Sequence, residues 1–220
     1  NRDLTIEVAK RAKAAGVKQF IFMSSAIVYG DSAPAGTGSA IDYSTESNPS
    51  NFYGRSKLEA EEGLRKLESG TFKVAIIRAP MIFGAQAKGN FPKLVSMARN
   101  LPVFPNVNNK RSMIYIENLA EFVFCLISRN KHGLFFPQQE KQICTSELVS
   151  LIAKISGNQM HMIQIFNPLI KGPLKHNSYA IKAFGDLYYD LETSSYDFDY
   201  IRFSTSEAMR QIAQIESWAK

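Results

Sequence analysis

The segment FYGRSKLEAEE, at residues 52–62, predicts the first turns of an amphipathic helix. Either Ser50 or Asn51 is placed to cap its first backbone N–H groups. Tyr53 and Lys57 are four residues apart, and this spacing puts both side chains on one face of the helix. A neighbouring ammonium group favours the phenolate form of a tyrosine, so the pair is a candidate acid–base centre. Any surface helix can carry this spacing by chance, so the residues around the pair must decide whether it is functional.

Two short apolar runs flank this helix and predict strands that are buried inside a parallel sheet. They are VKQFIFM at residues 17–23 and FKVAIIR at residues 72–78. A further helix is predicted from Asn1 to a stop at Gly16. The alternation of helices and strands indicates a right-handed parallel α/β layer. Because the chain opens in the middle of this pattern, we expect it to be part of a longer protein.

Ser24 and Ser25 directly follow the first strand. In an open parallel sheet the ligand crevice lies beyond the carboxyl ends of the strands. Both serines are therefore candidates for ligand contact, although a strand-end cap is the simpler interpretation for Ser24.

Three motifs in this order resemble the extended short-chain dehydrogenase/reductase family: SSAIVYG at 24–30, YGRSK at 53–57 and RAPMIFG at 78–84. Within that family the chain is most similar to the NAD-dependent nucleotide-sugar epimerases and dehydratases, especially the UDP-galactose 4-epimerase type. The likeness runs from Asn1 to about Ile127 and resumes weakly at the C-terminal helix.

The resemblance implies an α/β fold: a Rossmann-type parallel sheet with flanking helices and a smaller C-terminal substrate-binding lobe. Residues 1–84 would be the second half of the dinucleotide-binding domain, and residues 85–220 the substrate-binding lobe, interleaved with the last strands of the sheet. The first dinucleotide-binding half, with the Gly-rich turn that binds pyrophosphate, is absent from this sequence. We therefore expect the isolated chain to bind dinucleotide poorly.

The resemblance also implies the catalytic residues Ser25, Tyr53 and Lys57. Tyr53 would take the proton from the 4-hydroxyl of a sugar while hydride leaves C4 for the nicotinamide, and Ser25 would orient that hydroxyl. Lys57 would stabilise the phenolate and bind the nicotinamide ribose. The expected cofactor is NAD, with NADP left open. The residues expected to contact it are Ser24, Tyr53, Lys57, Pro80, Ile82 and Phe83.

A nucleotide-sugar is the partner that the resemblance implies for the second lobe. Arg111 would bind its diphosphate, since a guanidinium presents paired donors to phosphate oxygens; a solvated arginine on a strand is the alternative. The segment from Leu101 to Pro105 would lie along the nucleotide base. The residues expected to bind substrate are Ser25, Asn90, Phe104 and Arg111.

Ala26 and Ile27 restrict the expected reaction. Dehydratases of this family carry Asp-Glu at these positions to remove water, and neither alanine nor isoleucine can transfer a proton. We therefore expect 4-epimerisation of a UDP-hexose or UDP-N-acetylhexosamine through a 4-keto intermediate. The alternatives are an NAD(P)-dependent 4-keto-sugar reductase, a 4-epimerase for a lipid-diphosphate-linked sugar, and a non-catalytic regulator with this fold.

Composition excludes several other classes of protein. The 220 residues, 45% of them hydrophobic, are enough for a substantial core. The net charge of +6 comes from scattered lysines and arginines, which argues against a nucleic-acid partner. Cys125 and Cys144 lie in apolar stretches and predict reduced core residues of a cytoplasmic protein. The three isolated histidines and the lack of paired cysteines predict no metal site.

The segment from Phe166 to Tyr200 departs from the family pattern. Its lysines are interleaved with leucine, isoleucine, phenylalanine and tyrosine. A helix that packs on the core is the favoured interpretation. The alternative is a basic amphipathic stretch in peripheral contact with a membrane that carries a lipid-linked sugar. The resemblance also implies a homodimer, paired through the helices of residues 1–15 and 53–67.

Overall fold

Helices and strands alternate along most of the chain in a computed structural model that describes residues 2–218. The helices are α1 (Arg2–Ala14), α2 (Phe52–Arg65), α3 (Phe91–Asn100), α4 (Ile116–Ser128), α5 (Thr145–Ile155), α6 (Asn167–Lys171), α7 (Ser178–Phe184) and α8 (Thr205–Ile215). The strands are β1 (Gln19–Ser25), β2 (Ala40–Ile41), β3 (Lys73–Ala79), β4 (Met81–Phe83), β5 (Val103–Pro105), β6 (Met113–Tyr115), β7 (Gly133–Phe135), β8 (His161–Ile163) and β9 (Tyr188–Tyr189).

β1, β3 and β7 form a parallel sheet in that order. The register places Ser25 at the end of β1 beside Ala79 at the end of β3. β3 is buried along nearly its whole length, as expected for an apolar strand with neighbours on both sides. The predicted α/β fold with parallel sheets and flanking helices is confirmed.

α1 and α2 pack against one face of this sheet. Ala9, Ala60 and Leu64 are fully buried in one cluster with Phe22 and Val74 from the strands. Small residues on the helices allow close approach to the sheet, and the apolar strand residues fill the space between the two layers. Asn1, with which the first helix was predicted to begin, lies outside the described residues.

The chain beyond β4 packs around a second apolar core. α3, α5 and α8 enclose it, and Trp218 is fully buried there. Two short parallel strand pairs, β4 with β6 and β5 with β8, run along this core. β7 pairs with β3 in the main sheet, and this pairing connects the chain beyond β4 to that sheet. None of the helices described within residues 2–218 has the length and apolar character needed to cross a membrane.

The segment from Phe166 to Tyr200 is not the single core-packing helix that was favoured. Pro168 lies in the first turn of α6, Gly172 directly follows the last residue of the helix, and Pro173 cannot supply the N–H that would continue it. Residues 171–179 are all exposed. The second half does pack on the core, with Phe184, Tyr189, Phe198 and Tyr200 buried. The first half of the segment is thus mostly exposed, whereas the second half contributes buried aromatic residues to the core.

Candidate active site

A cleft of about 1070 Å³ opens at the carboxyl ends of β1 and β3. It is bordered by the strand ends, the start of α2 and the loop before α3. Most of the predicted site residues line it: Ser25, Tyr53, Lys57, Pro80, Ile82, Asn90 and Arg111. The structure thus brings the three sequence motifs to one place and adds residues from the second lobe.

The start of α2 is fixed tightly against the end of β1. The side chain of Asn51 accepts a hydrogen bond from the backbone N–H of Gly54 at 2.9 Å, which confirms the predicted cap. A Cβ atom at Gly54 would lie 2.8 Å from the carbonyl oxygen of Ile27 and 3.0 Å from Pro49. Only glycine, which has no Cβ atom, can lie this close to the carbonyl oxygen of Ile27. The glycine therefore lets Tyr53 sit directly beside the strand end.

Lys57 is held between the strand and the tyrosine. Its Nζ donates a hydrogen bond of 2.8 Å to the carbonyl oxygen of Met23. The same atom lies 4.7 Å from the ring centre of Phe22 and 5.8 Å from that of Tyr53. Burial lowers the pKa of Lys57, and the charge of Glu61 partly opposes this shift. Because an ammonium group has three donors, two N–H groups are left for a ligand.

Tyr53 and Ser25 line the cleft, and their O–H groups are available to donate hydrogen bonds to a ligand. Tyr53 is 49% exposed. Ser25 caps the short 3-10 turn Ala26–Tyr29, and its Oγ accepts a long hydrogen bond of 3.4 Å from the N–H of Ile27. An oxygen that accepts in this way still has its own O–H free to donate. Ser25 can thus hydrogen-bond a ligand oxygen while its position is fixed.

Buried charges that the sequence interpretation missed lie below these residues. The carboxylate of Glu61 is fully buried and accepts hydrogen bonds from Ser24 at 2.5 Å, Arg78 at 2.7 Å and Arg65 at 3.1 Å. Arg78 also donates to the hydroxyl of Tyr29. This network joins α2 to the ends of β1 and β3. A usable signal was present, because Arg78 ends an apolar strand and a buried arginine requires a carboxylate partner.

Three of the predicted contacts need correction. Ser24 borders the cleft, but it is buried and donates its hydroxyl proton to Glu61, so we assign it to the network rather than to the cofactor. Phe83 is wrong as a cofactor contact because it is fully buried in the second core, 5.6 Å from the ring of Phe91. Phe104 is wrong as a substrate contact because it is buried in the same core against Phe184.

Arg111 brings a positive charge to the other end of the cleft. Its guanidinium donates to the carbonyl oxygen of Lys182 at 2.6 Å and to the hydroxyl of Ser32 at 3.2 Å. Both partners are neutral, and the ion pairs among the described residues do not include Arg111. Burial lowers its pKa, and Asp186 partly opposes this. A half-buried cation that makes no direct ion pair within the described residues fits an anionic ligand.

Within residues 2–218, no group of three histidine, cysteine or acidic residues is arranged to hold a metal ion. The side chains that line the cleft supply a phenol, a hydroxyl, an ammonium group and a guanidinium. These groups can hold a diphosphate at one end and move a proton at the other.

Comparison with known proteins identifies one family. A sequence model of the NAD dependent epimerase/dehydratase family matches residues 1–135. The chain is 36% identical over 157 residues to a UDP-glucose 4-epimerase of Vibrio cholerae, which covers 68% of this chain and 47% of the relative. It is 33% identical over 131 residues to the N-acetyl-alpha-D-glucosaminyl-diphospho-ditrans,octacis-undecaprenol 4-epimerase of Escherichia coli O157:H7, covering 55% of this chain and 38% of the relative.

The chain thus spans about half the length, or less, of these curated relatives. Among solved structures, its fold is similar to UDP-glucuronic acid 4-epimerase from Bacillus cereus in complex with NAD. The TM-score is 0.72 at 16% identity, over 99% of this chain and 67% of that one. At this identity the likeness concerns the fold alone.

Proposed function

The chain belongs to the NAD dependent epimerase/dehydratase family, and on that premise we propose that its cleft catalyses 4-epimerisation of a UDP-linked hexose or N-acetylhexosamine. NAD is the cofactor of this family. The observation that carries the proposal is the fixed ammonium group of Lys57, held by Met23 beside a half-exposed Tyr53. This pair sits at the strand ends, where a parallel sheet binds ligands.

The residues at this end of the cleft fit the nicotinamide part of the cofactor. Lys57 has two unused N–H groups for the oxygens of a ribose, and Pro80 and Ile82 supply an apolar border for a flat ring. When bound, NAD would supply reversible hydride transfer at C4 of the sugar. The chain's own residues must then bind the sugar and move the hydroxyl proton.

Tyr53 takes the proton from the 4-hydroxyl of the sugar, with Lys57 stabilising the phenolate. Ser25 donates a hydrogen bond to the same oxygen and so fixes its position for transfer. The proton returns from Tyr53 when the keto group is reduced again. Inversion at C4 requires reduction on the opposite face, so the sugar ring must turn while its diphosphate stays on Arg111. A cleft of about 1070 Å³ leaves room for that movement.

A simple keto-sugar reductase is the second candidate, because the same tyrosine can donate the proton for a single reduction. The experiment uses the full-length protein with UDP-glucose or UDP-N-acetylglucosamine and no added reduced cofactor. Epimerised product with no net change in NADH absorbance supports the proposal. Product that forms only with added NADPH, in a one-to-one ratio with its consumption, supports the reductase instead.

Pairing of two copies through α1 and α2 is a further part of the proposal. Leu4 and Val8 on α1 are 71% and 47% exposed, and Phe52 at the start of α2 is 83% exposed. Exposed apolar residues on two adjacent helices are the kind of surface that a two-fold dimer buries. Val8→Glu should convert a dimer to a monomer in analytical ultracentrifugation, whereas a monomeric parent protein would exclude this arrangement.

A further inference from the structure

Residues 165–182 form an outward-facing surface that we call the basic apolar segment. It is tied to the second core on both sides, by Ile170 within it and by Phe184 just beyond it, both buried. The side chain of Asn167 also donates to the carbonyl oxygen of Asn106 at 2.8 Å. The segment is thus anchored at defined points, and most of its other side chains are exposed.

The charge of this surface has one sign. The sequence has no aspartate or glutamate between Glu147 and Asp186. Lys171, Lys175 and Lys182 are all exposed. The ion pairs found among residues 2–218 include none of these three lysines. The segment therefore presents several positive charges that the rest of the described chain does not neutralise.

Large apolar side chains are exposed on the same segment. Ile165 is 79% exposed and Tyr179 is 82% exposed, and Phe166, Leu169 and Leu174 are also exposed. Water contact is unfavourable for such groups by roughly 25 cal/mol for each Å² of apolar surface. Exposed apolar groups interspersed with lysines are the composition of helices that lie in the interface of a bilayer.

The segment adjoins the candidate active site. The carbonyl oxygen of Lys182, on α7, accepts the hydrogen bond from Arg111, which lines the cleft. A surface that holds the segment would therefore lie beside the diphosphate end of the cleft.

We propose that the basic apolar segment docks on the surface of an anionic lipid bilayer and sets the Arg111 end of the cleft at the level of the headgroups. Basic side chains near such a surface are attracted by its negative potential, and the apolar side chains enter the headgroup region. For the proposed epimerase, on which this consequence rests, the arrangement would admit a sugar diphosphate that is anchored in the membrane by a lipid.

A second copy of the chain fits this surface less well than a bilayer does. A two-fold contact places the same patch of each copy against the other. Lys171, Lys175 and Lys182 would then face the same lysines of the partner with no acidic residue in the segment to separate them. Like charges placed together oppose association. An anionic lipid surface supplies the missing counter-charge.

The test is sedimentation of the full-length protein with vesicles of phosphatidylcholine, with and without phosphatidylglycerol. We expect binding to the anionic vesicles that weakens as salt is raised. Lys171→Gln with Lys175→Gln should lower the partition coefficient about 30-fold, since each basic residue contributes roughly fivefold at such a surface. The matched control is Lys10→Gln with Lys66→Gln, which changes the net charge equally on exposed residues elsewhere.

The apolar contribution is tested in the same assay. Leu169→Ser with Tyr179→Ser should weaken vesicle binding, and Phe124→Ser with Ile127→Ser, which are also exposed and lie on α4, should not. Equal losses in patch and control variants would overturn the proposal, as would equal binding to neutral vesicles. A change of oligomeric state in the patch variants, with no vesicle binding by the parent, would point to a second copy instead.

Membrane docking and catalysis can fail separately in these experiments. Tyr53→Phe should bind vesicles like the parent protein, and the patch variants should keep their activity on a soluble UDP-sugar. Protein that is active but does not bind anionic vesicles would overturn only the docking proposal. Protein that binds vesicles but epimerises no sugar would overturn only the proposed function.

Discussion

The two ends of the cleft hold their positive charges in different ways. At the α2 end, Lys57 is fixed by the carbonyl oxygen of Met23, above a network in which buried Glu61 joins Arg78 and Ser24. At the other end, Arg111 donates hydrogen bonds to two neutral oxygens, one of which belongs to Lys182 of the exposed basic apolar segment. The first charge is supported by a buried hydrogen-bond network, whereas the second makes no direct ion pair with the described residues and has only the more distant charge of Asp186 near it.

This difference indicates how the site is divided. Groups that transfer a proton must be positioned before the substrate arrives, and a buried network supplies that positioning. A group that binds a phosphate gains most from the charge of the ligand itself. We therefore expect substitutions at the α2 end to affect folding and catalysis, and substitutions at the Arg111 end to affect ligand binding.

The largest effect on stability is expected for Glu61→Ala. Removal of the carboxylate leaves the guanidinium of Arg78 buried without a counter-charge, which costs about 3–5 kcal/mol of unfolding free energy. Arg65→Ala is the control, because Arg65 bonds the same carboxylate from a side chain that is 43% exposed. Such a pair contributes only about 0–1 kcal/mol. Urea unfolding measures both values, and equal values would contradict a special role for the buried pair.

Arg111→Gln tests the other end of the cleft. Loss of charged hydrogen bonds to a diphosphate, worth about 1.5–3 kcal/mol in total, should raise KM roughly 10- to 100-fold with little change in kcat. Lys110→Gln is the matched control, because Lys110 is exposed and lies over the ring of Tyr188. A fall in kcat at constant KM would place Arg111 at the reacting carbon instead.

Gly54→Ala should have a smaller effect on stability. The added Cβ would lie 2.8 Å from the carbonyl oxygen of Ile27, and such overpacking costs about 1–3 kcal/mol. Gly63→Ala on the same helix would place its Cβ 2.4 Å from Cδ1 and 2.7 Å from Cγ1 of Ile6, so a side chain rather than backbone has to move, and we expect a smaller loss of stability than at Gly54. Thermal unfolding of the two variants compares them directly. Equal melting temperatures would show that the start of α2 is not fixed by this contact.

The smallest predicted effect is a shift in pH dependence. Burial lowers the pKa of Lys57 below its ordinary 10.5. Between the folded and unfolded pKa values, the unfolded chain binds the proton and the folded chain does not, so stability rises with pH there. Activity should fall in the same window, because the ammonium group that stabilises the phenolate of Tyr53 is lost. Lys57→Met should remove the rise in stability with pH, and an alkaline limb of activity above 10.5 in the parent would contradict the lowered pKa.

The sequence predicted the α2 end of the cleft well because its signals are local. The cap at Asn51, the spacing of Tyr53 and Lys57, and the serine at the end of β1 each depend on a few neighbouring residues. Phe83 and Phe104 were misplaced because the side of a short strand that faces the core depends on what packs there. The partner of Arg78 lies seventeen residues away on another element, and only the folded chain shows that Glu61 is buried beside it.

The most direct test of the central claim uses a UDP-sugar with deuterium at C4 and the full-length protein. If Tyr53 removes the hydroxyl proton while hydride leaves C4, the epimerised sugar keeps its deuterium at C4, and Tyr53→Phe lowers the rate by about 10²- to 10⁴-fold. Loss of the deuterium to solvent, or an unchanged rate in Tyr53→Phe, would contradict the account.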